Sequence, residues 1–209
     1  MNADDLLPNE PVDAGYTPEE LASEEDPFEN EPEPDPSNID EVIVDYQAAA
    51  DDVQISSSPG YNALLRAIEQ YNAGARENPP GSNCQGYSRY FGAGCVAWCG
   101  FFISWCFDTS ASGNRDRRVP WSSPGLTRSI YDWGRTNGAL VSTPRSGDIH
   151  IHGDMSHSGI VRGANSATGA FTSIDGNWSD RVSYITNRNA RGDRYSSRYF
   201  FVRVLRSPV

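Results

Sequence analysis

The chain has 209 residues, 37% of them apolar, and a net charge of −11, which suits one good core and a tail but hardly two full domains. The charge is divided: residues 1–58 hold 18 of the 28 acids and no basic residue, whereas 59–209 hold 10 acids and all 17 basic residues, every one an arginine, for a net +7. No apolar run reaches spanning length and no basic cluster is longer than Arg117-Arg118, so neither membrane insertion nor a specific nucleic-acid footprint is expected.

The opening residues, MNADDLLPNE, lack the basic flank and apolar core of a signal peptide. The acidic stretch through Glu25 to Glu41 is proline-rich and self-repelling, and it offers too little apolar surface to offset the entropy of ordering. Residues 1–58 are therefore read as a mostly disordered arm, with a short helix or strand conceivable around Ile39 to Ala50. The folded domain is expected over 59–209.

Pro59-Gly60 opens a helical segment, Tyr61 to Ala73, in which Leu64, Leu65, Ile68 and Tyr71 recur at three- and four-residue spacing. A loop rich in glycine and proline follows, Glu77 to Tyr87. Next comes VAWCGFFISWCF, Val96 to Phe107, apolar on every side and so suited to a core. The glycine-rich FGAG before it cannot be helical, which predicts a helix start near Val96 or Ala97 and places Cys99 in the first turn. There the unpaired N–H groups and the helix dipole favour a thiolate. A third helix is expected over Pro124 to Thr136, ended by Asn137-Gly138.

Beyond this the period becomes two. Strands are predicted at Asp148 to His152, His157 to Arg162, Ala170 to Asp175, Arg181 to Ile185 and Arg198 to Leu205, separated by turn residues. Helices followed by an antiparallel run of strands make an α+β domain.

Four cysteines, Cys84, Cys95, Cys99 and Cys106, fall within 23 residues. Their spacing lacks the C-x2-C pair of a structural zinc site, and Cys84 and Cys95 can pair across the loop in an oxidising setting. A cysteine nucleophile needs a base, and the histidines are His150, His152 and His157. His157 opens a strand after a turn and can reach the helix mouth. Asp175 and Asn177, at the end of the next strand, are both candidates to orient its ring.

WCGFFISW, then GDIHIH with HSGIV, then IDGN, in this order, resemble the CHAP family, cysteine- and histidine-dependent amidohydrolases and peptidases of papain-like fold. The upstream GSNCQGYSRYFG is similar to the asparagine- and tyrosine-containing loop that precedes the nucleophile in many members. The resemblance spans roughly Tyr61 to Leu205. It implies Cys99 as nucleophile, His157 as general base, and Asp175 and Asn177 as the polar partners, with aspartate where many members have glutamate. Which of the two is the main orienting group stays open. Asn83, Tyr87, Trp98, His150, His152 and Trp178 are the candidate groove residues, with the two strand histidines half-exposed.

The family cleaves amide bonds of peptidoglycan and needs no metal or cofactor. The expected partners are thus bacterial peptidoglycan and, through the +7 domain, anionic wall polymers; a monomer is expected. The setting implied is a bacteriophage endolysin or a virion-carried lysin, held in the host cytoplasm until released to the wall. A catalytically inactive wall-binding protein on the same scaffold would predict loss of a triad member, and none is missing.

One rival enzyme class comes from HIHGDMSH: His150, His152 and Asp154 match the start of a two-metal hydrolase motif. The match fails at Met155, and no histidine follows His157. An RGD triplet, Arg191 to Asp193, is read as coincidence within a turn rich in arginine and glycine.

Overall fold

The computed structural model describes residues 58–110 and 119–205. The predicted acidic arm, with its possible element at 39–50, lies outside the described residues except for Ser58. That residue caps the first helix, α1 (Pro59–Asn72), by accepting a hydrogen bond from the Tyr61 N–H at 3.2 Å, and Pro59 takes a first-turn position where its missing N–H costs nothing. A five-residue helix, α2 (Gly86–Tyr90), is too short to show a period in the sequence. Cys84 and Cys95 are joined by a disulfide that brackets it.

The apolar run forms α3 (Cys99–Ser110), and its first intrahelical bond runs from Phe102 N–H to Trp98 C=O at 2.8 Å. The start is therefore later than the expected Val96 or Ala97, both of which are exposed. Cys99 is the first helical residue. Helix α4 (Thr127–Thr136) likewise starts three residues after its expected position.

Among the described residues six antiparallel strands follow: β1 (Leu140–Val141), β2 (Ile149–His152), β3 (Ser158–Ala164), β4 (Ala170–Trp178), β5 (Arg181–Asn189) and β6 (Tyr199–Val202). They form one sheet in the order β1-β6-β2-β3-β4-β5. The α+β class expected from the pattern is what the chain forms, and β1 is the one strand too short to have been visible. Alternation along the strands divides the sheet into two faces. Ile149, Ile151, Ile160 and Ile174 join Leu64 of α1 and Phe102, Ile103 and Cys106 of α3 in the main core. Burying each such aliphatic or aromatic side chain stabilises the fold by roughly 1.5–3 kcal/mol.

The other face carries His150, His152, Phe171, Asp175, Arg188 and Tyr199, all buried. Three strands separate β5 from β6, which puts them about 19 Å apart in a flat sheet. Yet Arg188 of β5 donates to the Tyr199 hydroxyl of β6 at 2.9 Å. The sheet is therefore strongly curled, and register shifts at Val161/Gly163, Phe171/Ser173 and Asp175/Trp178 supply bulges that coil it. Its polar concave face is closed on itself rather than open to solvent.

Candidate active site

Cys99 stands where α3 meets the curled sheet, with 8% of its surface exposed. Close packing of β4 against the helix brings the two together, since a Cβ on Gly176 would lie 2.4 Å from Phe102 Cβ. Its Sγ is 4.0 Å from Thr127 Oγ1 at the start of α4, and Thr127 in turn meets Ser158 Oγ at 3.1 Å. His157, one residue ahead of β3, is fixed by the hairpin bond from His152 N–H to its carbonyl at 2.9 Å.

The His157 Nε2 bonds Asp175 Oδ2 at 2.8 Å, which leaves Nδ1 for the thiol. Burial alone would raise the Cys99 pKa, but hydrogen bonding and charge from His157, the Thr127 hydroxyl and the Gly100 N–H together hold it below the ordinary thiol value. Burial likewise opposes a charged His157. Asp175 and the Cys99 thiolate overcome that and raise the imidazole to about 9. Both shifts run toward a thiolate–imidazolium pair and away from the neutral thiol and imidazole.

Asp175 is fully buried and accepts three donors. His150 Nε2 reaches Oδ1 at 3.0 Å, while His157 Nε2 and Arg188 Nη2, the latter at 2.7 Å, share Oδ2. Burial would favour the neutral acid, but Arg188, His150 and His157 hold the carboxyl well below its usual range. His150 and Asp175 sit on strands two apart, and the residue between them is Gly159, paired with His150 across β2–β3. A Cβ there would lie 2.1 Å from Asp175 Oδ1 and 2.5 Å from His150 Nε2. Gly159→Ala is accordingly expected to displace the carboxylate and destabilise the fold by about 1–3 kcal/mol. Denaturant unfolding would check this; a wild-type unfolding midpoint would contradict the crowding.

No family model matches the chain, and no curated protein or solved structure matches it. What the site can do therefore rests on its own groups.

The structure brings Cys99, His157 and Asp175 together and leaves Asn177 out of their hydrogen bonds. Asn177, in the left-handed region at φ 59°, turns its amide to Asn83 Oδ1 at 3.4 Å. Of the two candidates for orienting His157, Asp175 is the one in place. Trp178 flanks His157, with ring centroids 5.1 Å apart, and is half-buried. Asn83 and Asn177 are thus joined to each other, and Trp178 stands beside His157.

The remaining groove expectations are corrected. Tyr87 is buried in the aromatic core against Trp98, Phe102 and Trp105, with its hydroxyl on Gln70 Oε1 at 2.8 Å. Trp98 is fully buried, and its indole N–H donates to Glu77 Oε1 at 2.6 Å. Glu77 also accepts from the Asn83 N–H at 2.7 Å, so it ties the Asn83 backbone to the buried indole of Trp98. His150 and His152 are buried rather than half-exposed, because the sheet's curvature encloses their face. Burial pushes both imidazoles down, His150 to about 4 and His152 further.

The metal-ligand alternative does not assemble. Asp154 is on the exposed hairpin, holding Ser156 through its N–H and hydroxyl, and His152 Nε2 faces a guanidinium at 3.1 Å. No group of three metal-ligating side chains occurs among the described residues. The Asp193 of the RGD triplet is occupied internally by the N–H groups of Asn189, Tyr195 and Ser196 and by the Tyr199 hydroxyl. No helix among the described residues is long and apolar enough to cross a membrane.

Sequence reasoning missed Arg188, Thr127, Ser158 and Tyr199. Arg188 is fully buried, donates to Asp175, His152 and Tyr199, and lies among the rings of Trp178, Tyr195 and Tyr199. The available signal was weak: an arginine at an alternating strand position otherwise marks the solvent face.

Proposed function

We propose that this protein is a cysteine-dependent amide hydrolase of bacterial peptidoglycan, on a papain-like fold of the CHAP kind. The observation that carries the reading is the Cys99 thiol at the start of α3, set against a His157 whose far nitrogen is held by a buried carboxylate. Cys99 thiolate attacks the amide carbonyl and forms a tetrahedral oxyanion. The unpaired N–H groups at the helix start, that of Cys99 among them, stabilise this charge. His157 then gives its proton to the leaving amine, and the carbonyl remains as a thioester on Cys99. Water, deprotonated by His157, attacks the thioester, releases the carboxylic acid and expels Cys99 as thiolate, restoring the thiolate–imidazolium pair.

The bond cleaved is either that between muramic acid and L-alanine or one within the peptide stem or cross-bridge. The +7 charge of residues 59–209 supports adhesion to anionic wall polymers, with the acidic arm restraining non-specific contacts before release. A phage endolysin, or a lysin carried in the virion, is the setting that fits a wall enzyme acting from the host cytoplasm as a monomer.

Incubation of the purified protein with peptidoglycan, followed by mass spectrometry of new termini, tests the reading. Cleavage blocked by a thiol alkylator and indifferent to a chelator is expected. Cleavage abolished by the chelator, or no new amino termini, would reject it.

The pH dependence has a defined sign. The reactive pair needs a deprotonated Cys99, which its lowered pKa provides already below the ordinary thiol range, and a protonated His157, which is lost above about 9. A plot of kcat/KM against pH should rise to its maximum below the ordinary thiol range and fall above about pH 9. Activity that keeps climbing through pH 10, as an unassisted thiol would, contradicts the pair.

A further inference from the structure

Three histidines crowd one carboxylate: the ring centroids of His150 and His152 lie 5.9 Å apart, those of His150 and His157 6.3 Å, and those of His152 and His157 5.1 Å. The chemistry set out above needs a proton on one particular ring, and the carboxylate by itself does not choose. Its two oxygens bond His150 and His157 at similar distances, 3.0 and 2.8 Å.

Arg188 breaks this symmetry. Its Nη2 donates to Asp175 Oδ2 at 2.7 Å, and its Nη1 donates to His152 Nε2 at 3.1 Å and to the Tyr199 hydroxyl at 2.9 Å. A guanidinium only donates, so His152 Nε2 must present its lone pair and carry its proton on Nδ1. Protonating His152 would oppose two N–H groups 3.1 Å apart and set a second cation against the first. A charged His150 fares no better, because its Nδ1 is buried without an acceptor. Only His157 has an acceptor for each nitrogen, Asp175 on one side and Cys99 on the other.

We infer that Arg188 is a positioning residue that assigns the proton: by occupying His152 Nε2 and one oxygen of Asp175, it confines the imidazolium to His157, beside Cys99. The inference rests on the proposed reading in taking Cys99 and His157 as the reacting pair. Arg188 meets Asp175 and Trp178 of β4, His152 of β2, Tyr199 of β6 and Tyr195 of the loop between β5 and β6, with Asp193 behind Tyr199. His157 meets Cys99 of α3, Asp175 of β4, the two β2 histidines and, through charge, Asp154 of its own hairpin. Burial, followed by the neighbouring cations, pushes His150 and His152 down, whereas the thiolate and carboxylate raise His157.

The test uses the full chain labelled with 15N at histidine. Nuclear magnetic resonance from pH 5 to 10 should show His152 neutral with its proton on Nδ1, His150 neutral with its proton on Nε2, and His157 alone titrating. In Arg188→Met a second histidine should titrate within that range. Removing a buried cation makes protonation easier throughout the cluster, so the Cys99 thiolate should be depleted. Its alkylation by iodoacetamide at pH 7, followed by mass spectrometry of the Cys99 peptide, should slow at least about fivefold, with a midpoint at higher pH.

Arg188→Lys, which restores the charge with one-point bonding, should recover most of the rate. A proton on His152 Nε2 in the wild-type protein overturns the inference. So does an Arg188→Met protein that retains one titrating histidine and the wild-type alkylation midpoint. Should Arg188→Met not fold, the wild-type tautomers decide. None of these readouts involves peptidoglycan, so a failure of the wall substrate leaves them unchanged and is told apart from a failure of Arg188.

Discussion

If Cys99 is the nucleophile of the proposed peptidoglycan hydrolysis, replacing it with alanine is expected to reduce the release of new termini by at least about 10⁴-fold, the scale of loss when a covalent nucleophile is removed. The residual rate would come from binding and oxyanion stabilisation alone. Cys99→Ser should be almost as inert. A serine hydroxyl does not ionise near neutrality, so His157 loses the anion that helps raise it to about 9, and the charged ground state of the pair disappears. Both substitutions remove or change a single atom at a site already 8% exposed, so the unfolding midpoint should move little. The measurement is mass spectrometry of released fragments alongside denaturant unfolding. Cleavage by a folded Cys99→Ala protein would remove the thiol from the mechanism altogether.

Loss of the Asp175 carboxylate should damage both stability and rate. Asp175→Ala leaves the fully buried Arg188 guanidinium without its anion and strips Nε2 of both His150 and His157 of an acceptor. Breaking a buried pair from one side costs about 3–5 kcal/mol. Because the native carboxyl titrates well below its usual range, the wild-type advantage is fully present above the ordinary carboxylate pKa. It shrinks as the pH falls below that value through the native one. Unfolding free energies of the two proteins should therefore converge in acid and diverge above about pH 4.

Asp175→Asn keeps the shape but puts an N–H group where a donor already points, either at Arg188 or at a histidine. Its His157 should lose the proton well below pH 9, pulling the alkaline limb of kcat/KM downward. An Asp175→Asn enzyme with the wild-type alkaline limb would show that the carboxylate does not hold the imidazolium.

Cys99, His157 and Asp175 were legible because each sits in a local pattern whose consequence is local. An apolar helix that begins after glycines places Cys99 at its mouth, and turns between alternating strands place His157 and Asp175 at strand ends. His150 and His152 were misjudged for a physical reason. Period-two alternation says which residues share a face, but not whether that face is wet. Curvature decides that, and it comes from bulges whose register shifts the sequence does not display.

Arg188 was hidden by the same fact, since only a curled sheet lets β5 reach β6. Tyr87 and Trp98 looked like groove residues because they border a polar loop. Their polar atoms are instead satisfied inward by Gln70 and Glu77, pairings far apart in sequence. The two-residue β1 and five-residue α2 span hardly more than one period each, too little for a repeat to reveal them.

Strand β6 comes latest in the chain, yet it lies inside the sheet, between β1 and β2. Its Tyr199 closes the ring of contacts around Arg188, and through Arg188 it bears on the carboxylate that steadies His157. During synthesis, therefore, Cys99 emerges about a hundred residues before the strand that completes its surroundings, at roughly 5–20 residues per second. The growing polypeptide carries a thiol without its full surroundings for several seconds, and these close in one late step, when the sheet admits its sixth strand.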